Sequence, residues 1–185
     1  MKNLIIVAVV GVIAALWLVS TRNGLIRLDE TVKEQWSQID TQLIRRADLV
    51  PNLVETVKGY ATHENDIFIQ VAEARSRLLS ANGPVAKAEA NASMNDWLGR
   101  VMAIAENYPA LRASETFTRL QDELAGTENR IAVARTRYNE AVKNLNASIR
   151  GIPGCYFAPG LDLKKAEYFQ PPQGQNLVQP PQVKF

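Results

Sequence analysis

The sequence predicts an all-α protein: an N-terminal transmembrane helix that continues into a long antiparallel up-down four-helix bundle and ends in a proline-rich extended tail. Three observations predict it. Residues 4–19, LIIVAVVGVIAALWLV, carry no charge. Four later stretches place apolar residues three and four positions apart, the spacing of one helix face. From Gly151 onward Pro153, Pro159, Pro171, Pro172, Pro180 and Pro181 interrupt the chain, which excludes a continuous helix there. These features divide the chain into a membrane anchor over residues 1–23, a helical bundle over 24–150 and a tail over 151–185.

With Asn3 and Ser20 the uncharged run reaches eighteen residues. As a helix it covers about 27 Å, against a hydrocarbon core of about 30 Å. Lys2 before an apolar run resembles a secretory signal, but residues 16–21 read LWLVST, without an A-x-A-like cleavage site. The segment therefore reads as an uncleaved signal-anchor making a single pass through the lipid bilayer. Arg22, Arg27 and Lys33 beyond the span weigh toward a cytoplasmic domain. The secretory character of the N-terminus weighs the other way, and the reading leans to an extracytoplasmic domain.

The first soluble helix should continue straight out of the span, because no proline occurs before Pro51 and Gly24 is only a mild helix weakener. Its face is Leu25, Leu28, Val32, Trp36, Ile39 and Leu43. A second helix is expected from Asp48 as N-cap, with Pro51 tolerated in its first turn, where amides lack intrahelical acceptors. Its stripe is Leu53, Val57, Tyr60, Glu64, Ile67, Val71, Ala74 and Leu78, in which Glu64 is the one charge. Asn82, Gly83 and Pro84 make a turn. A third helix follows over residues 85–107, alanine-rich and polar at first and then apolar at Met94, Trp97, Val101, Ile104 and Tyr108, with Pro109 ending it. Ser114 caps a fourth helix, whose stripe from Phe117 to Leu145 has one polar member, Thr127. Short links return successive helices antiparallel, as in an up-down bundle rather than a two-stranded coiled coil. In the tail, Tyr156, Phe157, Tyr168, Phe169 and Phe185 are candidate anchors to the bundle or to another subunit.

Composition excludes more chemistry than it offers. Lys and Arg total 21 and Asp and Glu 19, a net charge of +2, which is no footprint for nucleic acid. One cysteine, Cys155, and one histidine, His63, cannot build a disulfide or a Cys/His zinc cluster. His63-Glu64 begins like H-E-x-x-H, yet Ile67 stands where the second histidine belongs. His63 then reads as a surface residue, and Cys155 lacks the neighbouring base that a nucleophile needs. Asn91 and Asn146 start glycosylation sequons inside predicted helices, which chance explains. Glu64 instead invites a buried polar pair with Arg130 or Arg135, which flank the fourth stripe. No catalytic residue, cofactor or metal site is expected.

Two long strings, RRADLVPNLVETVKGY over residues 45–60 and GTENRIAVAR over 126–135, together with the N-terminal span, closely resemble the bacterial LemA family. Ala125 departs from that family's usual glutamate, and the tail matches only at GLDLKKAEYF and PQVKF. The resemblance implies a membrane-attached helical bundle of the cell envelope with no agreed catalytic residues. Its members are often encoded near a membrane metalloprotease or a TPM-domain protein, which implies an accessory or scaffold role. The expected function is thus a self-assembling, homo-oligomeric interaction protein. The candidate surface is Arg45, Arg46, Asp48, Pro51, Asn52 and Glu55, with Glu128, Asn129 and Arg130 on the fourth helix. The alternative is a metal- or small-molecule-binding helical-bundle enzyme, whose Glu-x-x-His pairs one histidine cannot complete.

Overall fold

The computed structural model describes residues 1–61 and 64–170, and over these the chain is helical, without a strand. Helix α1 spans Lys2–Lys58, α2 Asn65–Ser80, α3 Pro84–Glu106, α4 Pro109–Arg112, α5 Glu115–Arg150 and α6 Gly154–Phe157. The first part of α1 is long and apolar enough to cross a membrane, and the side chains of Leu4, Ile5 and Ile6 and those from Val9 to Val19 along it are exposed.

The expected start of a second helix at Asp48 is corrected: α1 continues through Pro51 to Lys58, and the chain turns after Gly59. A proline inside a helix removes the N–H that would bond the carbonyl four residues earlier, a cost of about 3 kcal/mol. Here that carbonyl belongs to Ala47. Arg75 of α2 donates its Nε–H to it at 2.8 Å, and Arg75 Nη2 lies 3.7 Å from Asp48 Oδ1. A side chain from the neighbouring helix therefore replaces the missing amide. The apolar phase also crosses the proline intact, since Ile39, Leu43, Ala47, Val50, Leu53 and Val57 are all buried. Tyr60, expected in the core, lies past the helix end and is exposed.

The other boundaries follow local chemistry. Gly83 takes φ 83°, which a side chain would resist, and Pro84 starts α3 with its fixed φ. Ser114 occupies the N-cap of α5, as expected, and Pro109 opens the single turn of α4. Thr127 is buried within the α5 stripe because its hydroxyl donates to the Leu124 carbonyl at 2.7 Å.

Cross-helix contacts give each element a level along α1. Leu25 lies beside Gly154, Trp36 faces Tyr138 with ring centroids 5.5 Å apart, and Arg46 pairs with Glu128, so α5 runs antiparallel to α1. Arg75 meets Ala47 and Lys58 covers the Phe68 ring, so α2 is also antiparallel. Lys87 meets Asp40 and Asn91 meets Arg46, so α3 runs parallel to α1. Helices α2 and α3 thus flank only the part of α1 beyond about residue 38. Nearer the apolar segment α1 and α5 pair without them.

That exposed pair is covered by the chain after α6. Asn146 donates Nδ2–H to the Ala166 carbonyl and accepts the Ala166 N–H, both at 2.9 Å. Asn139 does the same for Phe169, at 3.3 Å and 2.9 Å, and Tyr138 donates its hydroxyl to the Glu167 carbonyl at 2.8 Å. The register is geometric: seven helical residues rise about 10.5 Å and three extended ones about 10 Å, so asparagines one heptad apart meet residues three apart. Phe169, 3 % exposed, packs against Trp36. Of the other candidate anchors Tyr156 and Tyr168 are exposed and Phe157 half-buried, while Phe185 lies outside the described residues.

Two outcomes follow. Arg75→Ala should destabilise the protein by about 1–3 kcal/mol by leaving a buried carbonyl without a donor. The loss should shrink in a Pro51→Ala background, where residue 51 regains its N–H, as denaturant titration of the double-mutant cycle will report. Burial, aided by the charge of Glu167, pushes the Tyr138 phenol up to about 12. The unfolded chain ionises that phenol near pH 10 and the folded one does not, so folding stability should fall between about pH 10 and 12. Tyr138→Phe should remove that part of the slope in unfolding midpoints measured across the range.

Candidate functional site

The structure divides the nine candidate surface residues into groups with different surroundings. Arg46, in phase with Leu43 and Val50 on the core face of α1, is 6 % exposed. Its Nη1 donates to Glu128 Oε2 of α5 and, at 3.3 Å, to Asn91 Oδ1 of α3. Six residues earlier Asp40 accepts from Lys87 Nζ of α3 at 2.7 Å, and Lys87 is itself buried. Helices α1, α3 and α5 therefore meet across a polar layer rather than an apolar one. An alanine-rich first half leaves α3 little apolar surface to offer here, so charged hydrogen bonds hold it in place.

The remaining candidates face outward. Arg45, Asp48, Asn52 and Glu55 lie at steps of three, four and three on the exposed side of α1. Pro51 and Glu55 border a cleft between α1 and α2 of about 360 Å³, lined also by Val54, Lys58 and Arg75. Asn129 and Arg130 border a second cleft of about 320 Å³ between α1 and α5, together with Gln38, Gln42, Val133 and Arg137. No carboxylate lines this second cleft. The α1 ridge thus carries mixed charge, and its α5 side is cationic and amide-rich.

The expected pairing of Glu64 with Arg130 or Arg135 is not made. Glu64 is half-buried at the N-cap of α2, past the distal end of α1, whereas Arg130 is exposed on α5 near the level of Ile44. About fourteen residues of helical rise, roughly 20 Å, separate those levels. Arg135 is exposed and lies further still along α5. The charge within an apolar stripe that does find a partner is buried Arg46, with half-exposed Glu128. The same test finds Lys87 and Asn91, since stepping back from Met94 by three and four reaches both. Arg75, Asn139 and Asn146 carry no comparable signal, because each is explained only by backbone groups that the fold brings to it. Asn91 and Asn146 are buried and hydrogen-bonded, which closes both sequons. Among the described residues no three His, Cys, Asp or Glu side chains stand close enough to hold a metal ion, and His63 lies outside them.

A model of the LemA family matches residues 35–185. Magnetosome protein MamQ 2 of Paramagnetospirillum magneticum is 27 % identical over 97 % of this chain and 76 % of its own length. Magnetosome protein MamQ of Magnetospirillum gryphiswaldense is 26 % identical over 87 % and 69 %, respectively. Protein LemA of Metamycoplasma hominis is 24 % identical over 82 % and 70 %.

The buried pair should respond asymmetrically to mutation. Glu128→Leu leaves the buried Arg46 guanidinium with Asn91 as its one remaining partner among the described residues and should cost about 3 kcal/mol. Arg46→Leu leaves Glu128, whose side chain is 44 % exposed, able to turn to water, and should cost roughly half as much. Chemical denaturation of the two single variants checks the order.

Proposed function

Since the chain belongs to the LemA family, we propose that it is a non-enzymatic, membrane-anchored interaction protein of the bacterial inner membrane, with its helical domain on the extracytoplasmic side. In this reading residues 1–23 anchor the chain, 24–150 form an antiparallel up-down four-helix bundle and 151–185 form the tail. The bundle self-assembles and holds a membrane partner, such as a membrane metalloprotease or a TPM-domain protein.

One observation carries the reading. The two strings on which the family resemblance rests meet at the level of Arg46 and Glu128, and structure absorbs only part of them. Arg46, Ala47 and Glu128 are occupied by the polar layer and the Arg75 contact. Arg45, Asp48, Asn52, Glu55, Asn129 and Arg130 point outward, where fold maintenance alone asks little of residue identity. The names of the relatives, a magnetosome protein and protein LemA, are not those of enzymes, which supports an interaction role over a catalytic one.

A photo-crosslinking side chain placed at Asn52 or Arg130 in native membranes should capture a second copy or a membrane protein. The same group at Ser76, exposed on α2, should not. The variant Arg45→Glu with Arg130→Glu should abolish that capture while changing stability by only about 0.5 kcal/mol. Equal capture from all three positions, or none from any, sinks the proposal.

A further inference from the structure

The loop after α5 presents large apolar side chains to solvent at one particular height. Ile152 is 82 % exposed and Tyr156 76 % exposed. A core-seeking loop would bury them, and the same loop does bury Gly154 and Ala158. Its height is fixed by Gly154: a Cβ there would run into the Ser148 carbonyl oxygen and stand 3.5 Å from Leu25 Cδ2. The loop is thus pressed against α1 at Leu25, five residues beyond Ser20, the last residue of the eighteen-residue span read from the sequence. Those five residues rise about 7.5 Å along a continuous helix. The polar headgroup layer is about 5–7 Å thick on each side of the hydrocarbon. With residues 3–20 in the bilayer, Ile152 and Tyr156 would stand at about the height of the lipid headgroups.

We propose that residues 151–157 form a second membrane contact, dipping Ile152 and Tyr156 into the headgroup layer beside the point where α1 leaves the bilayer. This rests on the reading of residues 3–20 as a membrane span and adds a docking surface for lipid. Three features favour lipid as the occupant. A tyrosine with an apolar ring and polar tip suits the membrane interface. Arg22, Arg27 and Arg150 are exposed at the same level and face lipid phosphates. The nearest carboxylates on α1, Asp29 and Glu30, lie two and three residues beyond Arg27 and are held by Lys33 at 2.7 Å and 2.8 Å. The contact fixes the tilt of the whole helical domain on the membrane, because a second attachment beside the span resists rocking about it.

The test uses the full-length protein with Cys155→Ser, reconstituted in phosphatidylethanolamine/phosphatidylglycerol vesicles. Single cysteines at Ile152, Leu16 and Asn82 carry one environment-sensitive fluorophore. Asn82 lies in the α2–α3 turn, near the level of Asp40, about 30 Å beyond the end of the span. Lipids spin-labelled in the headgroup region should quench the label at 152 several-fold more than the label at 82, and acyl-labelled lipids should quench the label at 16. If 16 is quenched and 152 behaves like 82, the second contact is overturned and the span stands. If 16 is not quenched, the span reading fails and the proposal falls with it. Shielding at 152 that follows protein density rather than quencher lipid assigns the patch to a second copy, which also overturns the proposal.

Discussion

The architecture depends on one hydrogen bond, from Arg75 to the carbonyl that Pro51 leaves without a donor. Without it the Ala47 carbonyl would be left without a donor at the point where the proline interrupts the helix. With it α1 is a single rod of 57 residues, about 86 Å by helical rise. Everything else takes its position from this rod: α5 lies along it, α2 and α3 cover its far part, and the apolar segment is its near end. The same arginine draws α2 against α1, so the repair of the helix and the docking of its neighbour are one interaction.

Along the rod the means of burial change. Beyond about residue 38, α1 and α5 share their core with α2 and α3. Part of that joint is polar, with Arg46, Asn91 and Glu128 in one group and Asp40 and Lys87 in another. Such a layer adds less stability than an apolar one but accepts a single register, because a slip of one turn strands buried charge. Nearer the apolar segment half-buried Trp36 and buried Tyr138 have no third helix beside them. There the segment around residues 166–169 fills the place, with Phe169 against Trp36, which in turn packs on Tyr138, and asparagine side chains satisfying its backbone. A chain without a regular partner strand can lie in a buried groove only if its amides find acceptors and its carbonyls donors.

This arrangement separates possible roles by height. The loop at Ile152 and Tyr156 lies beside the exit of the apolar segment. The outward ridge from Arg45 to Glu55, with Asn129 and Arg130 across the cleft, stands some 30–45 Å further along the rod by helical rise. A rigid helix joins the two levels, so a surface engaged at the ridge is held at a set distance from whatever the apolar segment occupies.

The helical class, the apolar segment, the in-phase stripes, the turn at Gly83 and the helix start at Ser114 were legible in the sequence by itself, because each depends on spacing or on a residue's own backbone preference. The family was legible too, from two uninterrupted strings. What only the tertiary structure decided are the features in which one residue answers a need created far along the chain. Pro51 reads locally as a helix start, and only Arg75, 24 positions later, makes it an interior residue. Glu64 and Arg46 both interrupt apolar stripes, but only the levels of the packed helices give Arg46 a partner and leave Glu64 without one of those expected. Local pattern determines which face of a helix is buried; which groups meet across that face is set by the relative heights of whole helices, and no short window of sequence contains them.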